Sequence, residues 1–318
     1  MKKLLPFSAV AFFLSLAPIL SNAQGSFGLE GNSSRQYLSD KTYIPLFQED
    51  EEWEDDGRGF SVGLNLGVYL GNKKSAAFYN GSCAYSIEGV AAGVRCYSIE
   101  ERILLNGTNT NSILSYILTQ YNATGLDFPV DMYPMNMGYK PSMQYGLLLK
   151  YNFDYTNSIV FNGNFIRLKA VDVFTLKLLG TTMQQNAQED IRIFDISGEE
   201  DRFHFSLMYR SGAEINKGSN WFVQGGPSMV GIKVLSNQIF IGDRTFDLLI
   251  GAQNPNQLIV YQPRTDIGMG FTLGTGFEMM FNDKYEISLS LNASRERIVL
   301  GSFEDRIWNY AVLIGFTL

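Results

Sequence analysis

The sequence predicts an all-β protein, an eight-stranded antiparallel transmembrane β-barrel with a long, partly structured first extracellular loop. Three observations predict it: an export signal, strict alternation of apolar and polar residues over long segments, and connections between those segments that alternate in length. Phe and Tyr supply 23 and 17 of the 318 residues and Gly supplies 31, a combination typical of β-barrels.

A signal peptide is predicted for residues 1–23. Lys2 and Lys3 precede the apolar stretch 4–20, and the small residues at 21–23 provide a cleavage site before Gln24. Beyond the signal there is no run of about 18 apolar residues, so no transmembrane helix is expected. Export then leaves a secreted domain or an outer-membrane barrel, and the alternation must decide between them.

The alternation is clearest at the C-terminus. Every second residue from Trp308 to Leu318 is apolar, whereas those between are mostly small or polar. A strand turns alternate residues to opposite faces, so one face is suited to lipid. A soluble sandwich shows the same alternation, but strand length and loop asymmetry favour the barrel. The predicted strands lie within 60–70, 143–153, 159–165, 203–209, 221–234, 267–281, 285–293 and 308–318. We expect the strand 221–234 to carry a bulge or kink at Gly225, Gly226 and Pro227.

Short and long connections alternate along the chain. Outer-membrane barrels have tight periplasmic turns and longer extracellular loops, so both termini and the short turns are expected in the periplasm. The short turns are 154–157, 216–220 and 282–284; the long loops are 71–138, 171–201 and 235–264, and a short fourth outer loop is 298–305.

An acidic periplasmic segment, 24–57, is predicted between the signal and the barrel domain, 58–318. Its end has seven carboxylates in eight residues around Trp53. Such a run cannot pack, so it is either a solvated leash or a docking strip for a basic partner, and the lone Trp favours docking. The residues of this acidic strip are Glu49, Asp50, Glu51, Glu52, Trp53, Glu54, Asp55 and Asp56.

Charged residues are expected inside the barrel near its periplasmic end. An eight-stranded barrel has an interior just wide enough for its own side chains, so charges there must pair. We expect them to fill and lock the barrel; a path for protons or ions is the alternative. The predicted cluster comprises Lys150, Arg210, Glu214, Glu278 and Glu286.

Composition excludes several functions. The net charge of −7 argues against nucleic acid, which needs clustered Lys and Arg. With one His, two Cys and no HExxH or CxxC pattern, neither a metal site nor a cofactor is expected. The expected contacts are outer-membrane lipid or lipopolysaccharide, and other envelope proteins.

One short motif resembles an enzyme. His204 and Ser206, with Glu214 downstream, resemble the His-x-Ser of outer-membrane lipid A 3-O-deacylases, in which His activates Ser. That resemblance implies a triad facing lipid, whereas strand parity turns His204 and Ser206 inward and Phe203 and Phe205 toward lipid. We therefore predict no catalytic residues and a non-enzymatic barrel.

A wider resemblance covers the barrel. The motifs are 63–67 (GLNLG), 139–142 (YKPS) leading to 149–153 (LKYNF), 158–169, and 274–278 (GTGFE). They resemble Bacteroidota outer-membrane barrels of the PorG-like group. The resemblance implies an eight-stranded barrel, and a membrane anchor or accessory subunit of type IX protein secretion and gliding machinery. A small channel or receptor, and the deacylase-like enzyme, are the alternatives.

The first outer loop is expected to have structure of its own, because 68 residues are too many for an unstructured connection. Apolar residues at helical spacing from Ile113 to Tyr121 predict a short amphipathic helix after Asn111. Cys83 and Cys96 flank a stretch that suits a small hairpin closed by a disulfide.

We predict that Cys83 and Cys96 are bridged in protein taken from the envelope, an oxidising compartment. The bridge closes a short loop and restricts its unfolded ensemble by about 3 kcal/mol. Intact mass measured without reductant should fall short of the reduced mass by two hydrogens. Two free thiols in that sample contradict the prediction, and reduction should loosen the loop while the barrel stays folded.

Overall fold

The structure is a computed structural model. It describes residues 59–82, 94–96, 98–104, 112–129, 132–181, 189–216, 218–254, 257–260, 265–281, 285–300 and 303–318. The predicted signal peptide, the acidic strip and Cys83 lie outside the described residues.

Eight long strands form one closed antiparallel ring. Each strand pairs with its neighbour in sequence, and the first pairs with the last through a register that runs from Gly63 opposite Thr317 to Leu70 opposite Tyr310. The backbone groups of the ring therefore find partners without a free sheet edge. The strands are β1 (Gly59–Leu70), β2 (Ser142–Asn152), β3 (Asn157–Leu179), β4 (Asp190–Asn216), β5 (Ser219–Ile241), β6 (Thr265–Phe281), β7 (Tyr285–Leu300) and β8 (Phe303–Thr317).

Apolar side chains cover the outside of the ring and polar ones line its inside. On β8 the outward residues from Tyr310 to Leu318 are exposed, while Asn309 and Thr317 on the other face are buried. The same parity holds on β1, where Phe60 and Leu64 are more than 60 % exposed and Asn65 is buried. The predicted fold class, strand parity and outward face are confirmed.

Five strands extend further toward the long-loop end than the sequence suggests. The prediction that 171–201 is a loop was wrong, because β3 and β4 continue as a paired ribbon to Leu178 opposite Asp190. Part of 235–264 is strand as well, since β5 extends to Ile241 and pairs back with Arg244–Asp247. Residues 298–305 likewise belong mostly to β7 and β8. Apolar alternation stops where the strands leave lipid, although hydrogen-bonded pairing does not.

The bulge or kink predicted in β5 at Gly225–Pro227 is not a bulge, although pairing with β4 is interrupted there, between Ser206–Ser228 and Tyr209–Gly225. The pairing of β5 with β6 passes through those residues without a shift, from Leu273 opposite Gly225 to Phe271 opposite Pro227. The irregularity lies higher, where Glu199 and Glu200 pair with Ser236 and Val234 and one residue of β5 is left over. Such a bulge bends the strand.

The first outer loop folds over the long-loop end of the ring. Its described elements include α1 (Lys73–Ala76), a 3₁₀ turn (Ala77–Tyr79), α2 (Ile99–Leu104) and α3 (Ile113–Gln120), the last confirming the predicted helix. Asn72 begins this fold: its side chain accepts from the backbone N–H of Lys74 and donates to the carbonyl of Trp308 on β8. We call the described parts of this loop the outer cap.

A hydrophobic core joins the outer cap to the barrel mouth. Ile99, Ile103 and Ile117 of the cap are fully buried against side chains from the upper parts of the strands. Those strand residues include Phe174, Leu176, Leu178, Ile196, Ile232, Ile239, Ile241, Ile298 and Leu300.

The helices of the described part of the chain are all too short or too polar to span a membrane.

The turn between β2 and β3 is held by one carboxylate. Asp154 accepts from the backbone N–H groups of Thr156 and Asn157, both at 2.7 Å, from the Thr156 hydroxyl at 2.9 Å, and from the Asn157 amide. These hydrogen bonds, that of the Asn157 side chain first, lower the pKa of Asp154 to about 2. The turn is thereby an Asx-type turn with a charged acceptor.

We predict that Asp154 titrates near pH 2 in the folded protein, and that Asn157→Ala raises this pKa toward 3.8. Because the folded pKa lies below the unfolded one, the turn's stabilisation is complete above about pH 4 and is lost as pH falls through 2. Carboxyl-carbon NMR of the protein in detergent micelles measures the midpoint. An ordinary midpoint in the unaltered protein contradicts the assignment.

Candidate functional site: the barrel interior

The lower end of the interior, near the short turns, holds a balanced charge cluster. Lys150 on β2 lies 3.1 Å from Glu278 on β6 and 2.8 Å from Glu286 on β7. Arg210 on β4 donates to Glu278 at 2.8 Å and to Gln224 at 3.1 Å. Two cations thus meet two carboxylates. We call Lys150, Arg210, Glu278 and Glu286 the lower charge cluster.

Packing fixes this cluster as firmly as charge does. The guanidinium carbon of Arg210 lies 3.9 Å from the ring centroid of Phe222, a cation–π contact, and Phe222 is fully buried. Lys150 and Arg210 are also buried. Loss of one partner of a buried ion pair leaves the other charge buried and unpaired, which destabilises the protein. These four groups therefore hold one another in place.

Glu214 does not belong to the cluster, although the sequence placed it there. It has the inward parity of β4 but lies in the last turn-side residues of the strand, where 213–216 are exposed. The register also shifts between Glu214 and Asn216. Parity predicts a side chain's direction only while the strand stays within the ring.

A small cavity lies in the middle of the interior. Its volume is about 20 Å³, and its walls include Gln144, Asn164, His204 and Thr272. Several buried polar atoms there have no protein partner, among them Gln144 Oε1, Asn164 Oδ1, Ser206 Oγ and Thr272 Oγ1. Buried polar groups of this kind are satisfied by water, so the cavity suits ordered water.

His204 and Ser206 face this cavity, as strand parity predicted. They are 7 % and 2 % exposed, whereas Phe203 and Phe205 are 38 % and 37 % exposed on the lipid side. His204 Nε2 lies 2.8 Å from Glu296 Oε1, an ion-pair distance without hydrogen-bond geometry. The two residues are thus enclosed by the barrel wall, away from the lipid outside.

A second buried ion pair closes the upper end of the interior. Arg202 and Glu200, neighbours on the inner face of β4, are both fully buried, and Arg202 Nε donates to Glu200 Oε1 at 2.6 Å. Arg202 also donates to the hydroxyl of Tyr69 at 3.1 Å and to Ser75 at 3.2 Å. The guanidinium lies 5.3 Å from the ring centroid of Tyr139. We call this the upper ion pair.

The upper ion pair binds the outer cap to the barrel. The hydroxyl of Tyr79, in the cap, donates to Glu200 Oε2 at 2.7 Å, and Ser75 accepts from Arg202. The Tyr79 ring lies flat on Gly198, where a Cβ would come within 2.0 Å of the ring. A glycine is required at this point of β4 because any side chain would displace the tyrosine.

Sequence reasoning missed the upper ion pair. The predicted strand began at Phe203, because the outward residues above it are charged and interrupt the apolar alternation. A usable signal was present: Glu200 and Arg202 have the same parity as His204, Ser206 and Arg210. Extending the strand through its charged outer part would have placed both residues inside.

A closed antiparallel ring with an apolar outer band and a polar interior is the architecture of a transmembrane β-barrel. The chain is an outer-membrane β-barrel protein.

Comparison with solved structures finds small outer-membrane proteins. Neisserial surface protein A is 7 % identical, with a TM-score of 0.35, covering 82 % of this chain and 98 % of that one. The outer membrane protein OprG of Pseudomonas aeruginosa is 8 % identical, with a TM-score of 0.34, covering 82 % and 97 %. Ail, the attachment invasion locus protein of Yersinia pestis, is 9 % identical, with a TM-score of 0.30, covering 81 % and 96 %. No protein-family model and no curated protein matches the chain.

We predict that Arg202→Met lowers the free energy of unfolding of the outer cap by about 3–5 kcal/mol, because it leaves Glu200 buried without its cation. Hydrogen exchange should speed up at 73–79 and 138–139 while the lower strands stay protected. The double variant Glu200→Gln/Arg202→Met is the matched control and should recover most of the loss. Equal protection in the single variant and the unaltered protein contradicts a locking role.

Proposed function

We propose that the protein is a non-enzymatic membrane anchor, an accessory subunit of an envelope complex that holds a folded cap on one side of the outer membrane and an acidic strip on the other. The complex we propose is a protein-export machinery of the type IX kind, which the PorG-like resemblance implies. The observation that carries the anchoring role is that both ends of the barrel interior are closed by buried ion pairs.

The closed interior favours an anchor over a channel. The lower charge cluster crosses the barrel from β2 to β6 and β7, and the upper ion pair lies beneath the hydrophobic core of the cap. A solute has to break paired, buried charges at both levels to pass. Each such break costs several kcal/mol, so passage of ions is slow.

The interior also argues against the deacylase alternative. Catalysis by a His–Ser pair needs the serine within reach of the lipid ester. Ser206 and His204 face a cavity enclosed by the wall of strands, and Phe203 and Phe205 occupy the lipid-facing positions beside them. Access of a lipid substrate requires the wall to open.

We predict that the purified protein forms no steady ion channel in planar lipid bilayers. Lys150→Ala/Arg210→Ala removes both cations of the lower charge cluster and leaves two carboxylates that repel, so it should loosen the lower end and admit brief cation currents. Steady single-channel currents from the unaltered protein contradict the anchor. Lys140→Gln, which removes an exposed cation just before β2, serves as the control.

The acidic strip is the proposed contact with the partner. Seven carboxylates in eight residues create a strong local field that attracts a basic surface, and Trp53 supplies an apolar contact that salt does not screen. Charge then governs the rate of encounter, and Trp53 governs the lifetime of the complex. Only residues 57 and 58 separate the strip from β1 in the sequence, so the strip is tethered to the barrel.

We predict that deletion of 49–56 leaves barrel insertion intact and weakens recovery of envelope partners in affinity purification from native outer membrane. Trp53→Ala should raise the off-rate, whereas changing four of the acids to Asn and Gln should mainly slow association and flatten its salt dependence. Recovery of the same partners in equal amounts from the deletion strain shows that the strip is only a solvated leash.

A further inference from the structure

Three arginines share the outward face of β7 and β8 at the long-loop end of the barrel. Arg295 and Arg297 on β7 and Arg306 on β8 are all exposed. Arg297 lies directly opposite Arg306, and Arg295 lies opposite Trp308. We call the three arginines the arginine patch.

The arginine patch lies at the edge of the apolar band. From Leu318 to Trp308 the outward residues of β8 are apolar, and ten residues of a strand tilted by about 40° rise roughly 25 Å, the height of the band in such barrels. The Trp308 ring packs edge-on to Phe271 at 5.7 Å between centroids. Tryptophan favours the membrane–water interface, so the arginines stand at headgroup level.

The charge of this patch is not balanced. Glu304 binds Arg297 with two hydrogen bonds of 2.7 Å, and the neighbouring Asp305 pairs with Lys74 of the cap. Within the described part of the chain, Arg295 and Arg306 take part in no ion pair. Three cations and one carboxylate leave a net charge of +2, since 3 − 1 = 2.

The opposite side of the barrel differs at the corresponding level. There the outward cations of β3 have acidic partners in register on β4, Arg167 with Asp201 at 2.7 Å and Lys169 with Glu199 at 3.1 Å. Like charges placed directly opposite each other, as Arg297 and Arg306 are, destabilise a sheet, and Glu304 can balance only one of them. The excess charge of the arginine patch is therefore local and calls for an anion from outside the protein.

We propose that the arginine patch binds the phosphate groups of a glycolipid in the outer leaflet of the outer membrane. This rests on the proposed orientation, in which the long-loop end faces the cell exterior. Guanidinium groups form paired hydrogen bonds to phosphate oxygens, and two arginines without ion pairs provide them. Phe271, directly opposite Arg295, and Tyr310, two residues below Trp308, are 40 % and 52 % exposed and contact the acyl chains of the same lipid.

Native mass spectrometry of the full chain in detergent tests the proposal. The probes are bis-phosphorylated lipid A and the same lipid A with both phosphates removed. We expect the unaltered protein to retain the phosphorylated form preferentially. Arg295→Gln/Arg306→Gln should weaken that retention about five-fold for each arginine and leave the phosphate-free form unaffected.

The control is Lys140→Gln/Arg244→Gln, which removes two exposed cations from other parts of the long-loop end, neither of them in an ion pair within the described part of the chain. It should retain lipid as the unaltered protein does. Equal retention of both lipids, equal loss in the two double variants, or displacement of lipid A by inorganic phosphate at equal concentration overturns the proposal. The last result indicates a site for free anions.

Orientation is measured separately. An epitope inserted after Asp243, in the turn beyond β5, should be accessible on intact cells, and all variants should fold as heat-modifiable barrels. An inaccessible epitope in a folded barrel overturns both the orientation and the glycolipid site. An accessible epitope with no discrimination between the two lipids overturns the arginine patch alone.

Discussion

Closure of the backbone hydrogen-bond ring is the constraint from which the rest of the structure follows. Within the hydrocarbon region no water is available to an unpaired N–H or C=O, so β1 must meet β8. Closing eight strands leaves an interior that side chains nearly fill. Charged side chains in the interior are shielded from solvent and are stabilised by pairing with one another, as Lys150, Arg210, Glu278 and Glu286 are.

The outer cap buries the end of the barrel interior that extends beyond the lipid. Above the apolar band β3, β4 and β5 continue upward, and their inner faces change from polar to apolar, with Phe174, Ile196 and Ile241 packed under the cap. Arg202 and Glu200 lie at the boundary between the polar and the apolar part of the interior. There they form hydrogen bonds with the side chains of Tyr69, Ser75 and Tyr79. One barrel thus contains a polar interior and, above it, an apolar core.

The sequence alone predicted the features that contact with lipid requires, and it missed features that depend on contacts within the protein. The lipid-facing residues of β8, the inward direction of His204 and the helix at Ile113 could be predicted, because lipid and a local helical period each leave a direct pattern. The upper ion pair could not, since its strand is outwardly charged there. Glu214 was misplaced because the point at which a strand leaves the ring has no signature in the sequence.

The ring closes where β1 meets β8. The pairing runs from Val62, which exchanges backbone hydrogen bonds with Leu318, to Leu70 opposite Tyr310, and it is shorter than the β3–β4 pairing from Asn157–Ser211 to Leu178–Asp190. Gly63 and Gly67 hold this joint, as a Cβ on either would come within 2.1 Å of a β8 carbonyl oxygen. Closure of the whole ring therefore depends on the absence of a side chain at two positions of β1, since a methyl group at either one would push the first and last strands apart.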